Sequence, residues 1–101
     1  MKKTLSTSEA AALLLADMAG GWSREGALAL IEYLVVLEED IGVEMEFDAV
    51  AIRCDYSEYG SAVVASQCHG GAGVDEAEAL RWLCRRTTVI PFLNGVIVQA
   101  F

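Results

Sequence analysis

The chain has 101 residues, 54% of them hydrophobic, with one proline, nine glycines and a formal charge of −8. That length holds one domain over residues 1–101, and that composition excludes a disordered chain. The sign of the charge argues against direct contact with nucleic acid or an anionic membrane surface, since both attract cationic proteins.

The opening stretch, MKKTLSTSEAAALLLADM, sets two lysines before an apolar run. Glu9 and Asp17 flank that run, and its seven residues are too few to span a bilayer. The expectation is a cytoplasmic protein without a leader. Ser6-Thr7-Ser8-Glu9 has the capping-box pattern and opens a first helix that ends at Gly20-Gly21. Ser23 caps a second, REGALALIEYLVVLEEDI, which stops at Gly42. Ala27, Leu30, Ile31, Leu34, Leu37 and Ile41 follow the helical period and form its core stripe. Glu25, Glu32 and Glu39 recur every seven residues on the other side.

From Glu44 to Asp55 the pattern reads as extended. Ser57 is the candidate cap of a third helix through EYGSAVVASQC, and HGGAG is a loop. Asp75 opens a fourth helix, DEAEALRWLCRR, with acids at its start and Arg85 and Arg86 at its end, as the helix dipole favours. TTVIPFL, Asn94-Gly95 and VIVQAF then read as a β-hairpin, with Pro91 on an edge strand. The order is α-α-β-α-α-β-β. It predicts an α+β domain with helices packed on one face of a small, about three-stranded antiparallel sheet.

No motif calls for a metal, a cofactor or a catalytic group. Cys54, Cys68 and Cys84 are odd in number and lack metal spacing, which fits buried thiols in a reducing compartment. Cys68 and His69 are adjacent, but neighbouring side chains on one backbone seldom aim at each other. Gly70-Gly71-Ala72-Gly73 is followed by no Walker lysine and reads as a flexible connection. Trp22, Tyr33, Tyr56, Tyr59 and Trp82 read first as core fillers.

Two features stand out against this plain background. Leu34-Val35-Val36-Leu37 leaves the second helix apolar nearly all round at one turn. Either another helix covers Val35 and Val36, or a second copy does. A homodimeric regulatory protein working through that face is the alternative reading. The second feature is LEEDIGVEMEFD, residues 37–48, with six acids and no base. Glu38, Glu39 and Asp40 end a helix, where the dipole disfavours anions. Glu44, Glu46 and Asp48 alternate along the extended segment, which would set them about 6.6 Å apart on one face, like phosphates along a strand. The plainer reading is a solvated face. A contact surface for a basic groove would use these six, with Asp55 and Glu58 nearby.

The block IEYL…LEEDIGVEMEFDAVAIRCDYSEY, with TTVIPF and GVIVQAF, resembles a group of small acidic proteins encoded by phages and mobile elements, over about residues 8–60 and 87–101. The chain departs from that group at Val35-Val36, where acids are expected, and in the glycine-rich 64–75 segment. The resemblance implies a non-enzymatic inhibitor of the anti-CRISPR or anti-restriction type, acting in the bacterial host cytoplasm. Its partner would be a protein with a basic nucleic-acid-binding groove.

Overall fold

Among the described residues, each of the five α-helices begins where an oxygen waits for its unpaired N–H groups. The computed structural model describes residues 6–43, 45–71 and 75–101. Helix α1, Thr7–Ala16, starts on the expected capping box: Glu9 N donates to Ser6 Oγ and Ser6 N to Glu9 Oε1, both at 3.1 Å. A 3₁₀ turn over Met18–Gly20 follows. Helix α2, Arg24–Ile41, has the bounds its sequence predicts; Gly26 N donates to Ser23 Oγ at 3.0 Å, and Gly42 closes it. Ala27, Leu30, Ile31 and Leu34 are buried and Leu37 partly so, but Ile41 at the last turn is 54% exposed.

The segment expected to be extended departs from that reading. Asp48 Oδ1 accepts from Val50 N at 3.1 Å and Ala51 N at 3.2 Å, and opens helix α3, Ala49–Asp55. Two satisfied N–H groups and the burial of Ile52 outweigh the weak β preference of Val50 and Ile52. Strand β1, Tyr56–Tyr59, begins only after that helix, so Ser57 is a strand residue and caps nothing. Helix α4, Ala62–Cys68, is capped by Ser61 instead, whose Oγ accepts from Val64 N at 3.2 Å. Its first two N–H groups, of Ala62 and Val63, donate to the Glu76 carboxylate at 2.7 and 3.2 Å. Helix α5, Glu76–Cys84, is capped by Asp75.

Strands β2, Val89–Phe92, and β3, Gly95–Gln99, form the expected hairpin, but its turn is Leu93-Asn94, one residue earlier than Asn94-Gly95, and Gly95 is a strand residue paired to Phe92. The sheet is antiparallel in the order β1-β3-β2, so Pro91 does lie on an edge. Glycine is needed at position 95 because a Cβ there would come within 2.3 Å of the Tyr59 carbonyl oxygen.

The α+β class, the three antiparallel strands and the element order agree with expectation, with α3 added before β1. The helices, however, divide between both faces of the sheet. Ile90 and Ile97 are paired across β2 and β3 and join the core under α1, α2 and α3. Val96 and Val98 point the other way, into a second core with Ala62, Ala65, Ala79 and Leu83 of α4 and α5. The cause is the central strand. Val96, Ile97 and Val98 are three consecutive apolar residues, and a sheet covered only on the face of Ile97 would leave the two valines in water. Trp22 and Tyr56 fill the first core; Tyr59 and Trp82 pack against the second. Among the described residues no helix is long and apolar enough to cross a membrane.

Candidate protein-binding surface

The eight acids expected to form one contact surface have different employments. Glu38 is buried near the end of α2, where its Oε2 accepts from Met45 N at 2.5 Å and pins the following segment to the helix. Glu58, on β1, accepts at Oε1 from Ser23 N at 3.0 Å. It crowds Gly26, where a Cβ would fall within 1.9 Å of the same oxygen. Asp48 is the α3 cap. Glu39, Asp40, Glu46 and Asp55 are exposed, and their carboxylates have no hydrogen-bond or ion-pair partner among the described residues. Glu44 lies outside the described residues. Because Met45–Asp48 is not a strand, Glu46 and Asp48 do not stand in the evenly spaced row expected of them.

A groove of about 180 Å³ runs between α2 and α3. Leu34, Leu37, Met45, Ile52 and Tyr56 make its apolar lining, and Glu46, Asp48 and Asp55 supply carboxylates. The α3 contributors Asp48, Ala51, Ile52 and Asp55 are spaced i, i+3, i+4, i+7 and so share one helix face. Pockets that hold drug-sized ligands run to about 300–1,000 Å³, so this one suits a side chain rather than a cofactor. Tyr56 is only 8% exposed, and its hydroxyl has no hydrogen-bond partner among the described residues. Burial pushes its pKa above the usual tyrosine value, and the nearby Tyr33 and Asp55 push the same way.

Among the described residues no lysine or arginine lines this groove. Arg53, on α3, turns its Nε to Asp17 Oδ2 at 3.0 Å and ties α3 to the end of α1. Arg24 sits at the far, amino-terminal end of α2.

A second set of acids was visible in the sequence as a seven-residue repeat, yet was not assigned to the surface. Glu25, Glu32 and Glu39 are exposed along the outer side of α2, with Asp40 beside them. Asp40 stands three residues from Leu37 of the groove and so links the two sets. Successive members of the repeat are about 10.5 Å apart along the helix axis. Duplex DNA carries a charge every ~1.7 Å, so these acids are discrete anions and not a copy of a phosphate backbone.

The apolar turn of α2 is narrower than its sequence suggests. Val35 packs against the first core, while Val36 is 55% exposed and stands within one turn of Glu32, Glu39 and Asp40. All three cysteines are exposed, contrary to expectation: Cys54 lies on α3, and Cys68 and Cys84 are the last residues of short helices. His69 does not turn to Cys68. Its Nε2 shares a 3.2 Å hydrogen bond with the Tyr59 hydroxyl, and its ring lies 4.5 Å from that of Phe101. Arg86 donates to the Trp82 carbonyl and lies 4.0 Å over the Trp82 ring. Gly71 precedes the 72–74 segment, the rest of the glycine-rich connection, which is outside the described residues. Among the described residues, no three His, Cys, Asp or Glu side chains stand together as a metal site.

No protein-family model, curated protein or solved structure matches the chain.

Proposed function

We propose that the chain is a non-enzymatic binding protein that inhibits a bacterial defence system, most simply one of the anti-CRISPR type. It docks the outer side of α2 and the adjoining groove onto the basic cleft of a nucleic-acid-handling effector. The single observation that carries the docking is the set of exposed carboxylates, Glu25, Glu32, Glu39, Asp40, Glu46 and Asp55, which lack intrachain cations among the described residues. Such a surface steers a cationic partner over long range and repels nucleic acid from the same encounter. It competes through charge placed at discrete points and needs no replica of phosphate spacing. The choice of a defence effector as partner rests on the resemblance to small acidic phage proteins.

The test is interference in cells. Bacteria carrying an active CRISPR or restriction system and expressing the chain should let targeted phage form plaques. The variant Glu39→Lys, Asp40→Lys, Glu46→Lys, Asp55→Lys should restore interference while its melting temperature stays near that of the parent. Asp48 is left intact because reversing it would uncap α3. Equal inhibition by parent and variant would overturn the acidic-surface reading. A panel of defence systems on which the parent has no effect would overturn the choice of partner.

A further inference from the structure

We infer that the α2–α3 groove is a receptor for one arginine side chain of a basic protein partner. The inference rests on the docking reading above and names what enters at its centre. The lining is apolar where Leu37, Ile52 and Tyr56 meet, and anionic where Glu46 and Asp55 stand. Only a side chain with an apolar stem and a cationic head satisfies both, which leaves lysine and arginine.

Three observations favour arginine. The groove offers several carboxylates around one small volume, and a guanidinium answers them with a planar fork of five donors, where an ammonium is a compact point charge. Tyr56 lines the groove, and its unpartnered hydroxyl oxygen can accept a further N–H from a guanidinium. The groove is also partly enclosed, and shedding water there costs the weakly hydrated guanidinium less than an ammonium. The architecture holds the groove ready. The buried Glu38 carboxylate fixes Met45, Asp48 fixes the start of α3, and the Arg53–Asp17 pair anchors α3 to α1 while drawing the only arginine of that helix away. No rearrangement of the backbone is needed before binding.

The experiment is an NMR titration of the isotope-labelled full chain with three acetylated, amidated peptides: Gly-Arg-Gly, Gly-Lys-Gly and Gly-citrulline-Gly. The arginine peptide should shift the amides of Leu37, Ile52 and Asp55 saturably, with a Kd of about 1–10 mM, as suits one anchor without the rest of an interface. The lysine peptide should bind about threefold or more weakly, and citrulline, which keeps the shape but not the charge, should not bind. The double variant Glu46→Gln, Asp55→Asn should keep the parent spectrum elsewhere and lose the arginine response. Absence of saturable shifts at the groove, equal responses to all three peptides, or an undiminished response in the double variant would each overturn the inference. This titration contains no effector. Its failure would therefore leave the interference result standing, and a failure of the interference test would leave an arginine receptor with a different partner.

Discussion

The two helical layers cover the same sheet and answer different demands. The layer of α4 and α5 comes from residues 61–101, which hold three acids and three bases. Asp75 and Glu76 cap the two helices there, Glu78 lies in a first turn, and little negative charge is left over. The layer of α1, α2 and α3, with β1, comes from residues 1–60, which hold twelve acids and four bases. Capping and anchoring take up Glu9, Asp17, Glu38, Asp48 and Glu58. At least six more carboxylates remain exposed, and the second layer shows that the architecture does not require them. Like charges crowded on a small domain oppose its compact state. Under the proposed docking, that surplus meets a basic partner, and the difference between the layers marks the side that does so.

The comparison can be broken first at its cores. Leu30→Ala in the first layer and Leu83→Ala in the second each remove a fully buried side chain. Each should cost about 2–5 kcal/mol by denaturant titration. Both should lower one shared transition, because both layers rest on β3; two separate transitions would mean that the layers fold independently. A smaller effect separates employed from surplus acids. Glu58→Ala leaves the Ser23 N–H without its acceptor and should cost about 1–3 kcal/mol. Glu46→Ala should change stability by no more than about 0.5 kcal/mol. If the two variants proved equally harmful, the sorting of acids would fail.

The smallest effects lie at the extremes of pH. Glu9 is held below its ordinary pKa of 4.5, first by the Ser6 backbone N–H and then by the Ser6 hydroxyl. A depressed carboxyl contributes stability that is complete above 4.5 and disappears as pH falls through its folded value. Glu9→Gln should flatten that acid limb, and Ser6→Ala, which keeps the backbone N–H, should do so only in part. Tyr56 is shifted the other way, above 10.0, so its contribution is complete below pH 10 and declines as pH rises further. Tyr56→Phe should flatten the alkaline limb, as urea midpoints measured between pH 9 and 11 would show.

Much of this arrangement was legible in the residues, and the failures have physical causes. Helix α2 could be bounded at both ends because Ser23, Gly42 and a long 3.6-residue stripe agree. The hairpin was legible from Asn94-Gly95, although its turn falls one residue earlier and Gly95, in β3, is required by the approach of Tyr59. Helix α3 was not, since seven residues with Val50 and Ile52 carry little periodicity and the deciding contacts are its cap and its burial. The pairing of Tyr56 with Gln99 joins distant parts of the chain, so β1 left no local mark. The second layer had a signal in Val96-Ile97-Val98, a continuous apolar run typical of a strand buried on both faces. At the site, the acidity was plain, but which acids were already engaged depended on backbone N–H groups such as those of Ser23 and Met45. No pattern of side chains announces those.

The central claim is that the exposed acids of the first layer serve recognition and not folding. Neutralising them without changing their shape, as Glu39→Gln, Asp40→Asn, Glu46→Gln, Asp55→Asn, and then scoring plaque formation beside thermal melting, tests it most directly. The account predicts an unchanged or slightly raised melting temperature together with lost inhibition. Full inhibition by the neutralised protein would contradict it.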